Sequence, residues 1–286
     1  MIYLQKLFLV LATCLLFAQS ALAETQAEEA YSNPDNPFGV MPIDMASMHD
    51  QSIVLFFVML VGFSLWSLYK RRLSIGLLIL FGALFTSWQE FFGDWGAYLY
   101  WNPEFPQLPW GETPFTTPSK PMFIPFSWGW YLTLIYTVLV ALLTWVQRKL
   151  PSVPKFLIVL VVAGPLFYAY NIYSEGLAAD MAWWGYAESF GPYAEGTYAN
   201  YPLVWPAIDL VAWSVTILWL LTMKDEQGYW WHERFIGIDM VAPGIKQGFA
   251  RIGGFILTFN VSCLLIVTIP CIVVRLLFGV DSPIVP

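Results

Sequence analysis

Charge is what this sequence has least of: Asp, Glu, Lys and Arg make up 12% of its 286 residues. A water-soluble protein carries about 25%, so there is too little charge here to cover a globular surface, and a soluble domain is excluded. Histidine occurs twice and cysteine three times. No CxxC pair is present, and Cys263 and Cys271 stand on one expected helix, too far apart to bridge. Zinc, haem and iron–sulfur sites find little support, and no metal or cofactor is expected. Met45, Met48 and His49 form one soft cluster of a kind that binds copper, but just before a membrane helix they read better as packing. The net charge is −7. Without a basic patch to neutralise phosphates, no nucleic-acid partner is expected.

What the chain has in abundance is apolar and aromatic side chain, 58% and 18% of residues with 15 Trp among them, as suits a protein with two membrane interfaces to line. Residues 1–23 open with Lys6, run apolar from Leu7 to Ala18 and close on Ala21-Leu22-Ala23, the small-x-small pattern of a cleaved signal peptide. The other reading is an uncleaved first helix, which would make a seventh span. Segment 24–50 is acidic and broken by Asn33-Pro34, Asn36-Pro37 and Met41-Pro42, so it belongs in water beside the membrane. Apolar runs near the ~20 residues that span a bilayer follow at 51–69, 73–92, 123–146, 155–173, 203–223 and 252–274. The expected fold is all-α: a polytopic bundle of about six transmembrane helices over 51–276, with a short tail at 277–286.

Basic residues give an orientation. Of the 13 Lys and Arg, Lys6 belongs to the export segment. Ten of the other twelve (Lys70, Arg71, Arg72, Arg148, Lys149, Lys155, Lys224, Arg234, Lys246 and Arg251) fall in alternate connections. The positive-inside rule makes that side cytoplasmic. The mature N-terminus and the C-terminus are then periplasmic, and the membrane is the bacterial inner membrane. The outer loops, 95–122 and 174–202, are long, proline-rich in the first case, and aromatic. Structureless connections of that length are uncommon unless functional, so they read either as ordered lids or as an interfacial aromatic belt. The inner segment 224–250, with Tyr229, Trp230, Trp231 and Phe235 among charges, reads as an interfacial amphipathic helix.

Ionisable groups inside a span are expensive, on the order of 2.5–3.5 kcal/mol at its centre. WQEFFGDWGAYLYWNPEF puts Ser87, Glu90, Asp94 and Tyr98 on one helix face. Glu90 lies just beneath the outer boundary, and Asp94, nearer the helix end, reads as an interfacial carboxyl in contact with water. LVWPAIDLVAW sets Asp209 about 9 Å inside the same boundary at ~1.5 Å per residue. Asn171 and Tyr173 reach that level on a third helix, with Glu175 at its edge. Three helices thus offer polar groups to one leaflet, and an inward, outer-side cavity is expected. A carboxyl kept from water holds its proton and can donate it, and aromatic faces stabilise a developing cation. That combination suits acid-catalysed ring closure or dehydration of a lipophilic small molecule. Glu90 and Asp209 are the expected proton donor and partner, in either order. Asp94, Asn171 and Tyr173 would contact the substrate's oxygens, and Trp88, Trp95 and Trp128 would line the pocket.

The stretch from Phe85 through Phe105, the Pro- and Trp-rich loop after it, and FSWGWYLTLIY together resemble the spirocyclase AveC family, over roughly 50–275. These are bacterial polytopic membrane proteins, and the resemblance implies closure of a dihydroxyketone to a spiroketal, in one member with dehydration as well. In the family pattern an aspartate follows the Trp-Gln pair and an asparagine comes soon after. Here Glu90 fills the acid position and Asn102 comes late. A second class stays open: a non-enzymatic lipophile-binding, transport or accessory subunit whose polar residues hold helices together. The expected partners of the chain are a lipophilic small molecule and membrane lipids. A transporter would need a polar path to the inner side, and no buried charge in the inner leaflet marks one.

Overall fold

The computed structural model describes residues 35–286; the expected signal peptide at 1–23 and the first part of the acidic segment lie outside the described residues. Seven helices follow: α1 (Met45–Lys70), α2 (Ile75–Ala97), α3 (Ile124–Lys149), α4 (Lys155–Asp180), α5 (Ala207–Thr222), α6 (Trp231–Phe235) and α7 (Ile245–Phe278). The protein is an all-α membrane bundle. α1, α2, α3, α4 and α7 are long and apolar enough to cross a bilayer, and α5 is a shorter apolar helix of 16 residues. The run expected to span from 203 starts its helix only at Ala207, because Pro206 disfavours helical backbone at the residue before it. Outward-facing apolar side chains at helical spacing, Val54, Val58, Val61 and Leu65 on α1, are the reverse of a soluble helix and meet lipid.

At the centre is α2, with 61% of its span buried against 22% for α1 and α7. It packs on α3 along one side and on α7 along another. Small residues permit this closeness: a Cβ at Gly96 would come within 2.5 Å of the Cys271 backbone on α7. The Ser74 hydroxyl caps α2 at the Leu77 N–H, 3.2 Å away. Near its middle the helix tightens to a 3-10 turn at Ser87–Gln89. There the Thr86 and Ser87 hydroxyls return to the carbonyls of Gly82 and Leu84 at 2.8 and 2.7 Å, a competition that bends helices. α4 and α7 each carry a widened π turn, Val159–Ala163 and Leu264–Thr268. Each lies just before a proline, Pro165 and Pro270, whose ring would clash with the carbonyl four residues back in an unbroken helix.

The long loops close one end of the bundle as a structured cap. Strand β1 (Leu99–Trp101) from the first pairs antiparallel with β2 (Trp184–Tyr186) from the second, Tyr100 opposite Gly185. A hairpin, β3 (Tyr193–Glu195) with β4 (Asn200–Pro202), extends the second loop. Asn102, fully buried, pins the cap: its side-chain amide donates to Val40 O and Ala182 O at 3.1 and 2.9 Å, and its oxygen accepts from Asn36 at 2.9 Å. The tail after α7 is fastened to the same end. Arg275 lies over the rings of Trp95 and Tyr98, 3.9 and 4.2 Å from their centroids, and donates to Trp95 O and Val285 O, each at 2.5 Å.

The opposite end gathers Lys70 to Arg72, Arg148, Lys149, Lys155 and the 224–250 segment. That segment is not one interfacial helix. Gly228, Gly237 and Gly244 take positive φ and divide it into the short α6, a 3-10 turn at Ile238–Met240, and the first turn of α7.

Candidate functional site

Beneath the cap, a cavity of about 210 Å³ opens among the second half of α2, the start of α3, the end of α4, the start of α5 and the π turn of α7. The 3-10 turn hands over to a regular helix at Glu90, and from there Glu90, Gly93, Asp94 and Ala97 share the face that lines it. From α4 come Asn171, Tyr173, Ser174 and Glu175. Aromatic walls are supplied by Trp101, Trp128, Tyr131, Tyr170, Trp184, Tyr186 and Trp213. Tyr131 and Tyr170 stack at 4.7 Å, and Trp128 and Trp213 meet at 5.6 Å.

Three carboxyl groups, Glu90, Asp94 and Glu175, lie within electrostatic range of one another. None forms an ion pair among the described residues. Each is held by a neutral donor instead. Trp101 Nε1 donates to Asp94 at 2.8 Å, Trp184 Nε1 to Glu175 at 2.8 Å, and the Tyr186 hydroxyl to Glu175 at 3.1 Å. Trp128 presents its indole N–H to Glu90. Burial raises the Tyr186 phenol well above its ordinary range, helped by the nearby carboxylates, so it serves as a donor only. Trp184 and Tyr186 both belong to β2, so the cap strand reaches down to hold an acid of α4.

Next to the trio, a polar seam joins the two irregular turns. Gln89 donates to Asn260 O and Oδ1 at 3.0 and 3.1 Å and accepts from Thr268 Oγ1 at 3.0 Å.

Of the residues expected from sequence, Glu90, Asp94, Asn171, Tyr173 and Trp128 line this cavity. Asn171 is buried in its wall, and Tyr173, 64% exposed, stands at its rim. Asp94 is not the water-facing carboxyl expected; it is 5% exposed and bonded to Trp101. Trp88 and Trp95 do not line the cavity. At ~100° per residue they fall on the far face of α2 from Glu90 and Asp94, where Trp88 donates to Asn260 at 2.8 Å and Trp95 stacks on Arg275. Asp209 is also outside the lining. With the helix starting at Ala207 it stands in the first turn of α5, where the helix dipole favours a carboxylate, and the thiol of the lining residue Cys271 approaches it at 3.9 Å. The acid that sequence placed only at the edge, Glu175, is central. Its signal was present: Asn171, Ser174, Glu175 and Ala178 follow the three- and four-residue spacing of one helix face.

No group of three His, Cys, Asp or Glu side chains able to hold a metal occurs among the described residues. Neither a curated protein nor a solved structure matches the chain. A family model, however, matches residues 70–285, which takes in every span except most of α1, both cap loops and the whole acid trio. The chain belongs to the spirocyclase AveC-like family.

Proposed function

We propose that this membrane protein catalyses acid-promoted ring closure or dehydration of a lipophilic, oxygen-rich small molecule in the capped cavity. The observation that carries the reading is the trio of Glu90, Asp94 and Glu175 in an aromatic chamber, held by indole and phenol donors and paired with no cation. Carboxyl groups that face one chamber with neutral donors and no cation are placed to pass protons to and from a substrate. In ring closure, a carboxylic acid donates its proton to a carbonyl oxygen of the substrate, a substrate hydroxyl bonds to that carbon, and the hydroxyl proton passes to a neighbouring carboxylate. A carboxylic acid then protonates the new hydroxyl, which leaves as water; the faces of Trp128 and Trp213 stabilise the oxocarbenium centre, a second hydroxyl captures it, and that hydroxyl's proton returns to the carboxylate. Glu90 is the proton donor in this reading, with Asp94 and Glu175 exchanging protons with it. Asn171 and Tyr173 orient substrate oxygens. Asp209, set back behind Cys271, becomes a supporting group instead of Glu90's partner.

Family membership supports a cyclase- or dehydratase-like role. The orientation proposed puts the cavity on the periplasmic side of a bacterial inner membrane, since the ten clustered cations mark the other face as cytoplasmic. The test uses the purified protein and a lipophilic dihydroxyketone, with loss of one water followed by mass spectrometry. Glu90→Gln should lower turnover by about 10²–10⁴-fold, the usual contribution of a general acid, while substrate is still retained. Asp209→Asn should keep most of it. Undiminished turnover in Glu90→Gln would end the general-acid role, and retention of the ketone without turnover in the wild type would favour a lipophile-binding protein.

A further inference from the structure

At the end of the bundle remote from the cavity, a second concavity of about 530 Å³ lies between the start of α4 and the end of α5. Its walls divide by chemistry. Phe156 and Trp219 meet edge to face at 5.4 Å on the side toward the bilayer. Lys155, Lys224, Arg234 and Trp231 form the side toward water. We propose that this groove binds the phosphate headgroup of an anionic phospholipid in the leaflet at the basic end.

Charge is the first support. Arg234 is neutralised, with Asp225 and Asp239 each at 2.6 Å and Gln227 accepting from the same nitrogen, Nη2, that meets Asp225. Asp225, the acid in the groove wall, is consumed by that pair. Lys155 and Lys224 form no ion pair among the described residues. Lys155 Nζ donates to the Thr222 carbonyl at 3.2 Å, and Lys224 Nζ lies 4.4 Å over the Trp230 ring. Three cations, Lys155, Lys224 and Arg234, thus stand against Asp225 and Asp239, both of them on Arg234, and the groove keeps a net positive charge. Burial, with Arg251 and Arg72 outweighing Glu233 and Asp225, pulls the Lys224 ammonium below its ordinary value, and a bound anion would favour its charged form.

Shape is the second. Leu157, Leu160 and Val161 on α4 are exposed, at 46, 45 and 62%. They follow directly from Phe156 along the helix into the membrane, making a strip on which acyl chains lie while the phosphate sits at the lysines. Exposed Trp231 and Phe235, stacked at 5.5 Å, stand at headgroup level beside it. A free phosphate would use the lysines alone, whereas a phospholipid uses both halves of the site.

The experiment uses the full chain purified in a neutral detergent. Native mass spectrometry and thermal melting are run with phosphatidylglycerol, with phosphatidylcholine of the same acyl chains, and with inorganic phosphate. Phosphatidylglycerol should stay bound and raise the melting temperature, and the other two should do neither. Lys155→Gln/Lys224→Gln should weaken phosphatidylglycerol binding by about 30-fold, from the usual gain per lysine near an anionic lipid. Arg148→Gln/Lys149→Gln, on the same face but outside the groove, should leave binding intact. Should the lysine pair lower the melting point without lipid, Lys224→Gln alone is measured, with several-fold weaker binding expected. Equal retention of the two lipids, an equal response to inorganic phosphate, or unchanged binding in the lysine variants would each overturn the proposal.

Discussion

At the basic end Glu233 is fully buried and receives Arg251 at 2.6 and 2.9 Å, whereas at the cavity end Asp94 is 5% exposed and receives one neutral indole at 2.8 Å. Asp225 and Asp239 follow Glu233 in pairing with a guanidinium, while Glu90 and Glu175 follow Asp94 in doing without. The one arginine at the cavity end, Arg275, is turned away from the acids and locks the tail against Trp95 and Tyr98. Removing an acid from water is costly unless something offsets it. A cation does so at one end, whereas at the other only neutral indole and phenol donors stand beside the acids; on the proposed function those acids supply the substrate's proton. Paired acids are scaffold in this account, and unpaired ones are reagent.

The largest expected effect comes from making the basic end resemble the cavity. Arg251→Met strands Glu233 without its partner, and loss of about 3–5 kcal/mol is expected for a broken buried pair, read as a fall in melting temperature and in yield. Next comes a pH effect at the same end. His232 is buried against Trp230 and Phe255 with neither ring nitrogen bonded. Burial, then Arg251, lowers its pKa from 6.5 to about 4. Because the folded value is depressed, the unfolded chain takes up the proton first. Stability is complete above pH 6.5 and falls as pH drops toward 4, by about 3 kcal/mol in all. His232→Phe should flatten melting temperature across that window, and an unchanged acid slope would show that another group causes it.

Making the cavity resemble the basic end gives the converse. Trp128→Arg keeps a donor beside Glu90 and adds a charge, so turnover should fall about 100-fold with the melting point held or raised. A surviving rate would mean the acids need no spare proton. The smallest change is expected from Asp239→Asn. This pair is partly exposed, 36 and 22%, and such pairs contribute under about 1 kcal/mol, so the melting point should barely move; a large drop would put the exposed network on a level with Glu233.

Much of this arrangement is legible in sequence where a period carries it. Glu90 and Asp94 share a face because they are four residues apart on a helix, and the same spacing links Asn171 with Glu175. Where no period exists, reading stops. The partners of Glu175 come from β2, three residues long and paired with β1 from another loop, too short to leave an alternating pattern. The apolar run beginning at 203 sets Asp209 deep in the leaflet, but hydropathy does not mark where backbone turns into helix, and the helix begins at Ala207. Trp88 and Trp95 stand beside the acids along the chain, but helical rotation turns them away from the cavity that they are expected to line. Each π turn, by contrast, has a mark in the sequence, Pro165 or Pro270 just after it, since the proline ring forces the irregularity.

The most direct test sets the two ends side by side: turnover per folded molecule and melting temperature, both measured for Glu90→Gln and for Glu233→Gln. A crossed result is expected. Glu90→Gln should lose turnover and melt like the wild type, and Glu233→Gln, leaving Arg251 buried without its carboxylate, should melt lower while its folded fraction keeps its rate. Full turnover in Glu90→Gln, or parallel losses of rate and stability in both variants, would contradict the division of acids into reagent and scaffold.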